Sequence, residues 1–85
     1  MSWVVAVGNR AQRNLKRIPA ADQGRIMAAL DAMRSDPLAG DVVKLAGQDA
    51  FRRRVGNYRI IFRIDFRALA VGILDIDRRT TTTYR

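Results

Sequence analysis

The residues of this chain best suited to chemistry are arginines, and they crowd into one stretch, FRRRVGNYRIIFRI, Phe51 to Ile64. Arg52, Arg53, Arg54, Arg59 and Arg63 are interspersed there with Val55, Tyr58, Ile60, Ile61, Phe62 and Ile64, residue types that favour strands. A guanidinium stays charged, presents a planar fork that grips phosphate in two places, and stacks on bases. With a pKa above ~12 it is a poor proton acceptor. Such a cluster suits holding a polyanion, or stabilising charge on a phosphoryl group, better than moving a proton. The rest of the sequence offers few alternatives. It has no His, no Cys and no Glu, which excludes disulfides, the usual zinc sites, a thiol nucleophile and an imidazole acid or base.

The 85 residues carry 16 bases against 8 acids, a net charge of +8. Fourteen of the bases are Arg, and every acid is Asp. From Phe51 onward nine Arg stand against three Asp, whereas residues 1–50 hold seven bases and five acids, so the positive field is concentrated in the second half. A field of this kind favours a polyanion such as nucleic acid. An acidic protein partner, or charge kept for solubility, is the other reading. Length and 48% apolar content allow one modest core, hence a single domain over residues 1–85. The opening MSWVVAVGNR lacks a basic n-region, its apolar run is too short for a signal peptide, and no stretch approaches the ~20 apolar residues of a membrane span. The expectation is a cytoplasmic protein with no membrane contact.

These arginines need a scaffold. SWVVAV alternates Trp3, Val5 and Val7 with Val4 and Ala6 and predicts a short strand, ended by Gly8 and by Asn9, a candidate helix cap. RAQRNLKRI places Ala11, Leu15 and Ile18 at helical spacing until Pro19 breaks the helix. AADQGRIMAALDAMRS sets Ile26, Met27, Leu30 and Met33 on one stripe, read as core, and Asp36-Pro37 stops it. Residues 37–50, PLAGDVVKLAGQDA, predict a connecting loop held down by Val43 and Leu45; its glycines lack the Gly-Lys-Ser or Gly-Lys-Thr of a phosphate loop. Three strands follow at roughly 51–56, 58–65 and 69–77, made antiparallel by a tight turn at Gly56-Asn57 and a looser one at DFRA. The tail TTTTYR is compatible with a last strand or a loop. The expected fold is α+β: an N-terminal strand, a helical hairpin, then an antiparallel β-meander, with the helices packed on one sheet face.

Strand alternation gives Arg52 and Arg54 one face, and Phe51, Arg53 and Val55 the other. In the next strand Arg59, Ile61 and Arg63 lie opposite Tyr58, Ile60, Phe62 and Ile64. The apolar four suit the helices, so Arg59 and Arg63 look out from the uncovered face, close to the partner strand. Opposed like charges repel unless an anion lies between them, which suggests a phosphate-binding concavity. The alternative is a solvated face whose Arg pair with Asp65, Asp75 and Asp77. Arg53 fits neither reading, because its parity puts it with Phe51 and Val55, and a rim position would explain it, while Trp3 and Phe51 are expected in the core.

The order of elements, KLAG at Lys44–Gly47, RRRVGNYRIIFRID at Arg52–Asp65 and IDRRTTTTYR at Ile76–Arg85 together resemble the RelE/ParE superfamily of bacterial and archaeal toxins from toxin–antitoxin pairs. The resemblance covers nearly the whole chain. Its most specific part is the combination of an Arg-rich strand, a Gly-x-Tyr-Arg turn and a late Arg followed by Tyr. It implies the toxin of a type II system, partnered by a cognate antitoxin in a hetero-oligomer. In the RelE-like branch such toxins cut messenger RNA on the ribosome, needing neither metal nor cofactor, by 2′-hydroxyl attack on the adjacent phosphate. In the ParE-like branch they bind and inhibit DNA gyrase without cutting RNA. A non-catalytic RNA-binding module is a third reading of the same patch.

On the RelE-like reading the resemblance assigns roles by position. Arg52 and Arg54 match two basic residues, often Lys, beside the 2′-hydroxyl and the phosphate. Arg59 matches an Arg that holds the phosphate as charge develops. Arg78 matches a late Arg that assists the leaving oxygen, with Arg79 able to substitute in part. Tyr84 matches a terminal Tyr that stacks on a codon base. Arg63, Arg79 and Lys44 are expected RNA contacts. Against each stands a plainer role: exposed strand charge for Arg52 and Arg54, ion pairing with nearby Asp for Arg59 and Arg78, cover for the core edge for Tyr84.

Overall fold

The computed structural model of the chain describes residues 2–78. Along them run β1 (Val4–Val7), α1 (Asn9–Lys16), α2 (Ala20–Ala32), β2 (Val42–Lys44), β3 (Phe51–Val55), β4 (Tyr58–Asp65) and β5 (Ala70–Arg78). The strands form one sheet in the order β1-β5-β4-β3-β2. The pairs β2–β3, β3–β4 and β4–β5 are antiparallel, and β1 lies parallel to β5, so the α+β fold is built on a mixed sheet. Both helices cover the same face. Ala11, Ile18, Ile26, Ala29, Leu30 and Met33 form a single cluster with Tyr58, Ile60 and Phe62 of β4 and Val71, Ile73 and Ile76 of β5. No helix among the described residues is long and apolar enough to cross a membrane.

Alternation sorts the strands as their sequences imply. Val5 and Val7 pack against the core, while Val4 and Ala6 are exposed. Phe51 stacks on Phe62 with ring centroids 5.6 Å apart, and Trp3 meets Phe66 edge to face at 5.8 Å. Gly56 takes φ +57 in the two-residue turn between β3 and β4, a conformation that favours glycine. Tyr58, the first residue of β4, is buried, and its hydroxyl donates to Asp22 of α2 at 3.5 Å.

Several expectations need correction. Asn9 is the first residue of α1 and caps nothing; Gly8 is the N-cap, with no side-chain hydrogen bond. Met27 is 53% exposed, because one step past Ile26 rotates a side chain about 100° around the helix, off the stripe shared by Ile26, Leu30 and Met33. Residues 37–50 are not all loop. Val42–Lys44 pair with β3 as the sheet's edge strand, Val42↔Arg53, Val43↔Arg52 and Lys44↔Phe51. That parity turns Val42, not Val43, toward the core. Three residues are too few to show a period, and such a strand exists only because β3 offers a free edge.

The ladder between β4 and β5 breaks once. Ile61 pairs with Asp75 and Phe62 with Ile73, which leaves Leu74 as the extra residue of a bulge. With it, Val71, Ile73 and Ile76 all reach the core, and Asp75 meets α1, accepting a 2.7 Å hydrogen bond from Asn14 and lying 3.6 Å from Arg10. Deleting Leu74 leaves every paired residue in place but returns Asp75 to simple alternation, away from α1. The expected result is a cooperatively folded domain weakened by about 1.5–3 kcal/mol, the worth of the lost hydrogen bond to a charged group, and melting roughly 6–24 °C lower by circular dichroism. A deletion variant that no longer unfolds cooperatively would show that the bulge itself holds β5 in place.

Candidate nucleic-acid interface

The sheet face away from the helices carries the arginines in ordered rows. Arg54, Arg59 and Asp77 stand in register on β3, β4 and β5. One step along, Val43, Arg52 and Ile61 form the next row. Further on, Arg63 is opposite Gly72, whose other neighbour is Ala6 of β1, so Arg63 stands beside a strip with almost no side chains.

Side chains of cross-strand neighbours lie about 5 Å apart at Cβ, so Arg54 and Arg59 place two cations against each other. On the far side of Arg59, Asp77 answers with a two-pronged pair: Nε donates to Oδ1 at 3.0 Å and Nη2 to Oδ2 at 3.1 Å. Both partners are more than a third exposed, so water screens the pair and its net contribution is below about 1 kcal/mol. Arg52 is the most shielded of the set, its side chain 13% exposed, and its Nη1 lies 3.4 Å from Asp41 Oδ1. Among the described residues Arg54, Arg63 and Arg78 have no ion pair.

Other expected site residues lie elsewhere. Arg78 pairs with Tyr58, one step out of phase with Arg59 and Asp77. It borders a cleft of about 520 Å³ at the α1–α2 junction, with Asn14, Arg17, Ile18 and Pro19. Arg78 and Arg59 thus share one end of the sheet but not one face. Lys44 is opposite Phe51 on the edge strand, out of phase with Arg52 and Arg54. Tyr84 and Arg79 lie outside the described residues. Arg53 takes the rim: its Nη1 reaches the carbonyl of Ala29 in the last turn of α2 at 3.4 Å, where a cation is favoured, and its guanidinium lies against Gly40. Gly40 has φ +89, and a Cβ there would stand 3.1 Å from that guanidinium.

Sequence reasoning missed Asp41. Its signal was Val42-Val43, which once paired with β3 brings Asp41 beside Arg52 and lets its carbonyl accept from the Arg54 amide at 3.1 Å. Asp77 is among the acids the sequence offers as Arg partners; its seat opposite Arg59 depends on the bulge.

Residues 5–82 match a family described as the ParE toxin of type II toxin–antitoxin system, parDE. The chain belongs to this toxin family. Its fold is RelE-like. A chain of the archaeal RelE–RelB complex from Pyrococcus horikoshii OT3 superposes with TM-score 0.85 at 26% identity, covering 95% of this chain and 99% of that one. A chain of the toxin–antitoxin complex RelBE2 from Mycobacterium tuberculosis gives TM-score 0.80 at 26% identity, with 93% of each covered. The YoeB/ParE toxin from Agrobacterium tumefaciens, 14% identical, shares the fold with TM-score 0.76 over 91% of this chain and 99% of its own. No match was found among curated proteins. The ParE family sequence thus comes with a RelE-like fold and an arginine row on the sheet face its helices leave bare.

The Arg54–Arg59 opposition makes a stability signature. Replacing Arg54 by Ala removes a like-charge neighbour and should leave the melting temperature unchanged or raised by a few degrees at low salt, a difference that shrinks at high salt. Arg53→Ala should instead lower stability by about 1 kcal/mol at either salt, through loss of the Ala29 contact and of the stem's packing. Thermal melts of both variants at two ionic strengths check this, and a destabilised Arg54→Ala would mean that Arg54 is an ordinary structural residue.

Proposed function

We propose that this toxin cuts messenger RNA on the ribosome, with the bare sheet face gripping the scissile phosphate through Arg54 and Arg59. The observation that carries the reading is the direct opposition of those two cations in an exposed row, an arrangement that asks for an anion between them. Cleavage by 2′-hydroxyl attack needs a proton removed from the 2′-oxygen, charge stabilised on the crowded phosphate and a proton given to the 5′-oxygen. Arginines supply the second. Arg52, tied to Asp41 and shielded, acts chiefly by its field. Arg78 comes to the leaving side from the end of β5, where the chain continues toward Arg79 and Tyr84, and Arg63 contacts the strand beyond the scissile step; Lys44, out of phase on the edge strand, adds only to the field. Proton transfer without His or Glu is inefficient, so the reaction relies on the ribosome to fix the codon in the attack geometry.

Translated messages should therefore be cut within codons, leaving a 2′,3′-cyclic phosphate or its opened product, while naked RNA is cut poorly. Arg59→Lys and Arg78→Lys should each slow single-turnover cleavage at least about tenfold with ribosome binding nearly unchanged, because Lys keeps the charge but loses the fork. Arg53→Lys, on the rim, should do little. Equal cleavage of free and translated RNA would overturn the ribosome-dependent reading.

Inhibition of DNA gyrase is the second reading, favoured by the family match itself and by the Asp77 carboxylate already seated on Arg59. Loss of supercoiling activity at toxin concentrations that leave translated RNA intact would establish it instead.

The P. horikoshii and M. tuberculosis relatives come from complexes with antitoxins, and the same kind of partner is proposed for this chain: a cognate antitoxin whose acidic or amphipathic segment meets a protein of net charge +8. Expression of the chain alone should arrest growth, and co-expression with the antitoxin should restore growth and yield a tight complex. Normal growth at high levels of folded chain would count against any toxin activity.

A further inference from the structure

We propose that Asp77 is a built-in competitor for the anion that Arg59 binds: its carboxylate occupies the guanidinium edge that a phosphate takes, and nucleic acid must displace it. The proposal rests on the reading that the bare sheet face holds phosphate. Carboxylate and phosphate both offer the planar fork two oxygens at suitable spacing. Asp77 uses Nε and Nη2 of Arg59 together, at 3.0 and 3.1 Å, the geometry of bidentate phosphate capture. The pair lies on the exposed face, more than a third open to water on both sides, so displacing it costs little.

Its surroundings show which ligand succeeds. Arg54 stands on the opposite flank of Arg59 with no carboxylate partner among the described residues. An anion that touches Arg59 alone gains only what Asp77 already gives. A phosphate held by Arg54 and Arg59 together gains a second cation that Asp77, on the far strand, is not placed to reach across the row. Asp77 thus sets a threshold. Single anions and loosely held RNA are discriminated against, and a phosphodiester held in place between the two strands is not.

The neighbouring acids do not share this role. Asp75 is committed to Asn14 and to its own strand through the Ile76 amide, and Asp65 accepts from the amides of Arg67 and Ala68 in the β4–β5 turn. Asp41, across from Arg54 at the other end of the row, turns its carboxylate to Arg52 at 3.4 Å, which leaves Asp77 as the acid paired with Arg59.

The test is the affinity of the full chain for a short fluorescein-labelled single-stranded RNA, read by anisotropy at fixed ionic strength. Asp77→Asn should bind about two- to fivefold more tightly than wild type. Asp31→Asn, the same charge change on the exposed side of α2, should bind measurably less tightly than Asp77→Asn. In an Arg59→Ala background, Asp77→Asn should give no gain, since no fork is left to release. Asp77→Ser, with circular dichroism as the check on folding, reads the same effect should the Asn variant fold poorly. Gains equal to that of Asp31→Asn, or persisting without Arg59, would reduce Asp77 to background charge and overturn the proposal. Unchanged RNA affinity with lost cleavage on the ribosome would overturn it too, and would make Asp77 a proton acceptor. Weaker binding by Arg54→Ala and Arg59→Ala without tightening by Asp77→Asn would remove the competitor alone; full binding by both Arg variants would remove the phosphate face and the competitor together.

Discussion

One extra residue, Leu74, decides how the last strand divides its side chains between oil and water. In regular alternation from the β4–β5 turn, Val71 and Ile73 would face the core and so would Asp75 and Asp77, with Ile76 thrown outward. Two carboxylates buried without partners would cost far more than the small core of this domain can return. The bulge shifts the phase by one. Ile76 then closes the cluster beneath Tyr58 and Ile60, Asp77 comes out opposite Arg59, and Asp75, next to the extra residue, keeps its carboxylate on Asn14 of α1 instead of in the core. The hydrophobic core and the electrostatics of the bare face therefore share a single backbone irregularity.

A strongly basic sheet stays folded because the acids around it are each used locally. Asp75 binds α1 beside Arg10, Asp77 clamps Arg59, Asp41 stands by Arg52, and Asp65 closes the β4–β5 turn by accepting from two amides. None of these pairs, each with at least one partner open to water, contributes much alone. Together they lower the repulsion of the sheet while leaving Arg54 and Arg63 uncompensated at two places along its face. Arg53 shows the structural use of the same residue type, since its guanidinium ends on a helix carbonyl, and its cost and benefit both lie in the fold.

The layout was legible from the sequence where pattern and turn chemistry agreed. Period two in Tyr58–Ile64 fixed which face of β4 meets the helices, Gly56-Asn57 fixed the hairpin, and Ala11 with Leu15 fixed the buried side of the first helix, and Ile18 is buried just past its end. It failed where structure depends on something distant. β2 is three residues long and exists by virtue of β3's edge; Met27 sits at the margin of a helical stripe, where spacing alone does not separate core from surface. The arginine cluster was readable as a cluster, and its division was not. The phase of Arg78 relative to Arg59 depends on the β4–β5 register, hence on Leu74, and a bulge leaves no mark in composition.

The separation of Arg59 from Arg78 bears on how a face whose cations are arginines can act at all. Two cations on one face hold an anion; they do not move its protons. A third, out of phase at the strand end, approaches the same anion from another side only if the ligand bends around that end. A flexible strand free in solution loses much entropy to adopt such a bend, whereas one already held kinked by a larger assembly does not. On the proposed reading, dependence on the ribosome then follows from the register of two strands: the protein presents charge on two sides of a sheet end, and something else must bring the phosphodiester there already bent.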